Sequence, residues 1–231
     1  MDAQSDITSR PRVTLTQGTF IGVQLCEDLP RPIDAFLGVP YALPPTGDRR
    51  FRLAVPVAAS TCTMDASKYG SAAPGKPLRA ALAPQVEYSE DCLTANVFRH
   101  AGKISAHDKL PVAVYIHGGA FNRGTSSMHK TASMVSHSAE PFVAVSFNYR
   151  IGALGFLPST LSSKEGILNL GLRDQILLLE WVHENITTFG GDPGNVTLIG
   201  LSAGAHSVNL FGSLSLYNNL TSADWSPPDE L

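Results

Sequence analysis

The sequence has few cysteines, few charged residues and no long apolar run. Its 231 residues include three cysteines, Cys26, Cys62 and Cys92, and 16% charged residues. The cysteine spacing matches no metal site, and composition alone favours free buried thiols, whereas a disulfide between Cys62 and Cys92 would require an oxidising compartment. No apolar run approaches the length needed to cross a bilayer, so the sequence predicts no membrane span.

Two further classes of protein are disfavoured by what the chain lacks. The formal net charge of -3 provides no basic surface, so nucleic acid is not an expected partner. Residues 1–6 are polar and contain no apolar core, so no secretory signal is visible and the cytoplasm is the default compartment. No ligand cluster or phosphate-binding loop is found, so neither a metal nor an organic cofactor is expected.

What the chain does contain is an alternation of strand and helix patterns. With 43% hydrophobic residues it can bury a sizeable core, and one α/β domain can be this long. The apolar runs at 111–116 and 142–147 are typical of parallel strands covered on both faces, and a stripe of apolar residues over 172–189 predicts a helix. Further strands are predicted at 13–15, 19–25, 35–39, 93–98 and 196–199, and a short helix within 127–137. The whole pattern predicts an α/β fold with a right-handed, doubly wound sheet.

The segment around Ser202 matches a nucleophile elbow. The predicted strand 196–199 leads into Gly200-Leu201-Ser202-Ala203-Gly204, and a helix can follow. This Gly-x-Ser-x-Gly turn between a strand and a helix exposes the serine hydroxyl above the sheet. The amide of Ala203, at the start of the helix, can donate a hydrogen bond to an oxyanion.

A second glycine-rich segment could supply further oxyanion donors. His117-Gly118-Gly119-Ala120-Phe121 follows the predicted strand 111–116, and its glycines allow the backbone to approach a bound carbonyl. Taken alone, this segment is as well explained by a flexible glycine turn. The separate elbow downstream favours the functional interpretation. His117 then orients this loop or fills a structural site, and its position within the motif argues against a role as base.

Seven motifs in the same order resemble the type-B carboxylesterases, a family that includes cholinesterases and some fungal lipases. Together they cover about residues 13–212. In chain order they are FLGVPYA at 36–42, SEDCLTANV at 89–97, HGGAF at 117–121, NYRIGALGFL at 148–157, WV at 181–182, FGGDPGNVT at 189–197 and GLSAG at 200–204.

The resemblance implies a fold, a reaction and several residue roles. The fold would be the N-terminal part of an α/β hydrolase, with a mostly parallel sheet preceded by an antiparallel edge. The reaction would be hydrolysis of a small carboxylic ester through an acyl-enzyme, with no cofactor. Ser202 would be the nucleophile, and Gly118, Gly119 and Ala203 the oxyanion donors.

Some implications of the resemblance concern structure and substrate contacts. Cys62 and Cys92 would form the first disulfide of the family, which would point to a secreted parent protein. Asp91 would pair with an arginine, for which Arg150 is the candidate. Independently of the resemblance, Phe121 and Tyr149 could line an acyl or alcohol pocket, although core packing explains them at least as well.

The chain also departs from the family pattern. Leu201 stands where a glutamate usually precedes the nucleophile. The acid and the histidine of the triad should follow Ser202, but the only later histidine is His206, one helical turn away, which would point away from the cleft. Asp224, Asp229 and Glu230 lie in a polar tail that resembles no part of the family.

We therefore predict a truncated carboxylesterase domain. Residues 1–12 are expected to be a disordered lead, 13–212 the N-terminal portion of the domain, and 213–231 a divergent, disordered tail. Such a chain would be inactive or nearly so by itself. The alternative is a non-catalytic, cholinesterase-like interaction protein or a truncated pseudo-enzyme.

Overall fold

The computed structural model describes residues 10–77, 86–102 and 108–217, and for residues 213–217 it describes the backbone only. Most of the predicted lead and tail lies outside these ranges. The strands, in chain order, are β1 (Arg12–Leu15), β2 (Gly18–Ile21), β3 (Val23–Leu25), β4 (Ile33–Pro40), β5 (Thr63–Asp65), β6 (Thr94–His100), β7 (Leu110–Ile116), β8 (Val143–Phe147) and β9 (Gly191–Gly200). The helices are α1 (Thr131–His137), α2 (Gly152–Phe156), α3 (Thr160–Lys164), α4 (Leu170–Asn185) and α5 (Ala203–Tyr217).

The central element is a six-stranded mixed sheet with the order β3-β4-β6-β8-β7-β9. The antiparallel pairs are β3 with β4, β4 with β6 and β6 with β8, whereas β7 is parallel to both β8 and β9. The predicted antiparallel edge ahead of a parallel portion is confirmed. In the described residues the antiparallel pairs outnumber the parallel ones.

Helices cover both faces of this sheet. Val143 and Val145 of β8 belong to the same buried cluster as Leu178 and Val182 of α4. Ala144, between them, belongs to a second cluster with Val135 of α1. Side chains alternate between the two faces of a strand, so β8 can contribute to both clusters. This double cover explains why the sequence of β8 is apolar except for the buried Ser146.

The N-terminal strands form a smaller sheet with the order β1-β2-β5. The predicted hairpin is confirmed, with Leu15 opposite Gly18 at its turn. The second predicted strand of the hairpin is divided at Gly22, where an added Cβ would lie 2.5 Å from the carbonyl oxygen of Ala35. β5 is parallel to β2 and was not predicted, because its three residues lie within a loop-rich stretch.

The long predicted helix is also confirmed. α4 carries its apolar stripe into the core, and a 3-10 helix, Ile186–Phe189, continues it to Gly190, whose φ of 86° ends the helix. The short helix predicted within 127–137 is divided into a 3-10 turn, Ser126–Met128, and α1. α5 continues past the predicted boundary at Gly212 to Tyr217.

The strand β9 lies at an edge of the sheet. Within the described residues β9 pairs with β7 on one side and with no strand on the other. Ile199 and Leu201 are 37% and 54% exposed at the end of this strand. The backbone N–H and C=O groups along such an edge have no partner strand, so another strand can hydrogen-bond to them.

The predicted disulfide is wrong for this structure. Cys62 and Cys92 are both free thiols, and they lie in different environments. Cys62 is exposed just before β5, where its carbonyl accepts a hydrogen bond from the amide of Thr19 at 2.9 Å. Cys92 is fully buried in the main apolar cluster, and this burial raises the pKa of its thiol.

The predicted partner of Arg150 is also wrong. Asp91 is exposed, and Arg150 instead binds Asp174 of α4 through two side-chain hydrogen bonds of 2.6 and 2.8 Å. The backbone amide of Arg150 also donates to this carboxylate, at 3.0 Å. Burial by itself lowers the pKa of Arg150, but Asp174 outweighs that effect, so that the pKa is raised.

Candidate active site

Ser202 lies in a strained turn between β9 and α5. Its φ of 55° is in the left-handed region, which costs a non-glycine residue roughly 1–2 kcal/mol. The turn is closed by a hydrogen bond of 2.9 Å from the amide of Gly204 to the carbonyl of Leu201. The serine is exposed at the surface of the described structure. These features are those of the nucleophile elbow that the motif predicts.

The two motif glycines are required by close packing. A Cβ on Gly204 would lie 2.1 Å from the carbonyl oxygen of Ile116, and one on Gly200 would lie 2.3 Å from the carbonyl carbon of Gly204. Both distances are too short for any side chain. The elbow therefore packs its backbone directly against the end of β7, from which the glycine-rich loop begins.

This packing brings the two predicted halves of the site together. A Cβ on Gly118 would lie 2.5 Å from the carbonyl oxygen of Leu201 and 3.1 Å from the Cβ of Ser202. Gly119 follows Gly118, and Ala203, which is buried, follows Ser202. All four predicted residues thus belong to one local cluster of backbone around the Ser202 side chain.

The backbone N–H groups in this cluster are available as donors. Among the described residues, the amides of Gly118, Gly119 and Ala203 have no hydrogen-bond acceptor within the chain. The amide of Ala203 also lies at the N-terminus of α5, where the helix dipole favours negative charge. Stabilising an oxyanion requires free N–H groups that point at the position where its negative charge develops.

The structure adds one residue that the sequence interpretation missed. Ala120 and Phe121 both have positive φ values, 54° and 56°, directly after Gly119 with a φ of 122°. Such strain at consecutive non-glycine residues is typical of functional loops. In the described part of the chain the Ala120 amide also lacks an acceptor, so it is a further candidate donor. The sequence interpretation used only glycines as markers of a positive φ, and an alanine does not indicate that conformation.

The ring of His117 is buried and hydrogen-bonds its own loop. It is 1% exposed, and burial lowers its pKa to about 4, so the ring is neutral near pH 7. Its Nδ1 lies 2.9 Å from the carbonyl oxygen of Gly118, so Nδ1–H is the donor. The two sides of a trans peptide point in opposite directions, and this bond therefore turns the amide of Gly119 away from the ring.

No base reaches the serine in the described structure. The amide of His206 donates to the carbonyl of Ser202 at 3.1 Å, which is the ordinary helical bond, and its side chain is exposed on α5. Within the described ranges no histidine or carboxylate side chain hydrogen-bonds the hydroxyl of Ser202. Asp224, Asp229 and Glu230 lie outside those ranges.

The surroundings of the serine are open and partly apolar. Leu201, which replaces the usual glutamate, is 54% exposed rather than enclosed beside the site. The half-buried ring of Phe121 packs against Phe156, with ring centroids 4.9 Å apart. A cavity of about 350 Å³ lies elsewhere, between the N-terminal hairpin and α4, and includes no residue of the elbow or the loop.

Two further kinds of feature are missing from the described residues. No cluster of three or more histidine, cysteine, aspartate or glutamate residues with metal-binding geometry occurs there. None of the helices there has both the length and the apolar character needed to cross a membrane.

The chain is similar in sequence to one protein family and to several known lipases. A family model described as the carboxylesterase family matches residues 9–222. Secreted lipase 4 of Gibberella zeae is 45% identical over 194 residues, covering 84% of this chain and 34% of the lipase. Lipase 1 of Geotrichum candidum is 39% identical, covering 80% of this chain and 38% of that protein.

Solved structures give the same result. The crystal structure of Aspergillus niger EstA has a TM-score of 0.76 and 38% identity, covering 88% of this chain and 38% of that chain. A thermophilic PNB esterase has a TM-score of 0.75 and 36% identity, covering 87% of this chain and 40% of that chain. Across these relatives the chain spans between 34% and 40% of their length.

Proposed function

The chain belongs to the carboxylesterase family, and from this premise we propose that it carries the nucleophile and oxyanion half of a serine esterase. The Ser202 hydroxyl attacks the carbonyl carbon of a carboxylic ester and gives up its proton to a base. The tetrahedral intermediate then expels the alcohol and leaves an acyl group on Ser202. Water hydrolyses this acyl-enzyme and releases the acid.

One observation carries this proposal. The backbone of Gly118 packs directly on Ser202, which itself has the strained φ of 55°. A glycine loop with free amides beside an exposed, strained serine is the arrangement that acyl transfer needs. The amides of Gly118, Gly119 and Ala203 would stabilise the oxyanion, and Phe121 with Phe156 would form an apolar wall for the acyl or alcohol group.

The base and acid are expected in another part of the protein. In this fold they follow the serine in chain order, whereas the described residues after Ser202 consist of α5 alone. A serine hydrolase without its base loses on the order of a million-fold in turnover. We therefore propose that the 231-residue chain is nearly inactive alone and that its full-length parent is active. Because relatives of the chain are named secreted lipases, we propose that the parent is secreted as well.

A non-catalytic role is the competing proposal. An interaction protein of this family would have no need of a reactive serine. The strain at Ser202 favours the catalytic proposal, since strain without a function has no reason to persist. The two proposals differ in whether Ser202 can be acylated.

Acyl trapping by p-nitrophenyl acetate distinguishes the proposals. Without a base, an activated ester can still acylate slowly, whereas deacylation by water is slower, so an acetyl ester should accumulate on Ser202. Peptide mapping by mass spectrometry should find it there, sensitive to hydroxylamine. Ser202→Ala should remove it, whereas Ser207→Ala, a buried position on the same helix, should not. Acetylation that is unchanged in Ser202→Ala would overturn the proposal.

A further inference from the structure

The segment that follows β8 contacts the glycine-rich loop at three separate points. We call residues Asn148–Gly152 the clamp segment and residues His117–Ser126 the oxyanion loop. The clamp segment follows β8 directly, and the oxyanion loop follows the neighbouring parallel strand β7. Because the C-terminal ends of parallel strands lie at the same end of a sheet, the two segments lie side by side there.

The first contact point is the side chain of Asn148. Its Oδ1 accepts hydrogen bonds from the amide of Ser126 at 2.7 Å and from Oγ1 of Thr125 at 3.1 Å. Its Nδ2 donates to the carbonyl oxygen of Ser71 at 2.9 Å. Asn148 is 2% exposed, so these bonds are shielded from water. The buried side chain of Asn148 therefore fixes the C-terminal end of the oxyanion loop.

The second and third contact points hold the start and the middle of the loop. The hydroxyl of Tyr149 donates to the carbonyl oxygen of His117 at 2.8 Å, and its ring stacks on the His117 ring with centroids 4.4 Å apart. The amide of Gly152 donates to the carbonyl oxygen of Phe121 at 2.6 Å. The loop is thus held at both ends and at Phe121, one of its two non-glycine residues with a positive φ.

The clamp segment is itself fixed to the core. Between its contact residues lies Arg150, which forms the buried pair with Asp174 of α4. A loop with three successive positive φ values would relax to other conformations unless surrounding bonds held it. The clamp segment supplies those bonds from a rigid element, which is what a preorganised set of donors requires.

We propose that Asn148 and Tyr149 are positioning residues that hold the oxyanion donors of the loop in place beside Ser202. They act through the loop backbone and do not touch the ester. This inference rests on the proposed function for its catalytic meaning, but the clamp itself is a property of the fold that can be measured separately.

The test compares two buried tyrosines, of which Tyr149 hydrogen-bonds the loop itself and Tyr41 hydrogen-bonds only the backbone of the clamp segment. Tyr149→Phe removes the bond to His117 and keeps the ring. Tyr41→Phe removes an equally buried bond of 2.7 Å, to the carbonyl oxygen of Asn148, without touching the loop. The readout is hydrogen exchange of the amides of Asn122 and Arg123, which both donate to the carbonyl of Gly119 at 3.1 Å.

Tyr149→Phe should raise the exchange rate of these two loop amides about fivefold, the effect of losing one typical hydrogen bond. Tyr41→Phe should leave the rates within about twofold, because β8 and the Arg150–Asp174 pair still hold the clamp segment. Amides of β7 and β8 report global stability in both variants. Equal exchange of the loop amides in Tyr149→Phe and Tyr41→Phe would overturn the proposal.

A second measurement separates positioning from the proposed function. Labelling of Ser202 by a fluorophosphonate gives a binding constant and a first-order labelling rate. Tyr149→Phe should lower the rate about fivefold with unchanged binding, and Tyr41→Phe should change neither. An unchanged labelling rate in Tyr149→Phe would contradict the positioning role. If Ser202 of the unchanged chain is not labelled, which a missing base explains, hydrogen exchange decides whether the clamp exists, and acyl trapping by p-nitrophenyl acetate decides the proposed function.

Discussion

Ser202, Ala120 and Phe121 share a backbone conformation that disfavours side chains. Each of them lies just beyond the C-terminal end of β7 or β9. Their φ values are 55°, 54° and 56°. Each such residue costs of order 1–3 kcal/mol, so the site stores strain that the surrounding fold must balance. His117 contributes to that balance as a buried, neutral donor to the carbonyl of Gly118. Its titration is therefore coupled to the stability of the chain.

Stability should fall as the pH is lowered from about 7 to about 4, and His117 should account for part of this loss. Burial lowers its pKa from 6.5 to about 4. Between these values the unfolded state binds a proton that the folded state excludes, so the free energy of unfolding decreases by about 3 kcal/mol in total. Above the unfolded pKa the contribution is constant. Urea denaturation across this range measures the loss.

His117→Asn is the matched control for this titration, because asparagine can still donate to Gly118 but does not titrate. The variant should lose less stability than the unchanged chain between about pH 7 and about pH 4. An identical pH dependence in the two proteins would show that His117 is not buried as a neutral ring.

At the scale of elements, α5 depends on how closely its first turn approaches β7. Gly204 lies in that first turn, against the carbonyl of Ile116, whereas Gly212 lies further along the same helix with nothing within 4 Å of an added Cβ. The elbow thus joins a strand to a helix at a distance that only glycine allows. The two glycines form a natural pair for comparison.

Gly204→Ala should destabilise the chain by at least about 2 kcal/mol, because the new Cβ would force β7 and α5 apart. Gly212→Ala should stabilise it by up to about 1 kcal/mol, since alanine is a better helix former. Chemical denaturation of both variants provides the comparison. If both alanines change stability in the same direction, the close approach of α5 to β7 is not as described.

Much of the element structure could be predicted from local patterns. The hairpin, the buried parallel strands and α4 all follow from spacing of apolar residues, which is a short-range property. The Gly-x-Ser-x-Gly turn could be predicted because its glycines are a direct signature of close packing. By contrast, α2 and α3 contain five residues each, which is too short for a helical period to be recognisable.

Contacts between distant residues could not be predicted in the same way. The partner of Arg150 depends on which carboxylate the fold brings to it, and α4 presents Asp174 where Asp91 was expected. The pairing of Cys62 with Cys92 failed for the same reason, since one lies at the surface and the other in the core. Nothing in the sequence indicates the left-handed backbone conformation of Ala120.

At the scale of the whole molecule, the proposed function assigns to this chain one half of a catalytic site, and its sheet ends at the edge strand β9. The chain spans 34% of Secreted lipase 4 of Gibberella zeae and 38% of the Aspergillus niger esterase. In the described residues β9, the strand that leads into Ser202, is an edge strand and pairs only with β7. Under the proposed function, the segment of the full-length parent that supplies the base could also pair with β9.

The most direct test is the hydrolysis of p-nitrophenyl acetate by the purified 231-residue chain and by Ser202→Ala. We predict that the chain turns over the ester on the order of a million-fold more slowly than a complete serine esterase. Its steady-state rate should then be close to that of Ser202→Ala. Turnover at an ordinary enzyme rate that is lost in Ser202→Ala would contradict the account, because it would require a base within this chain.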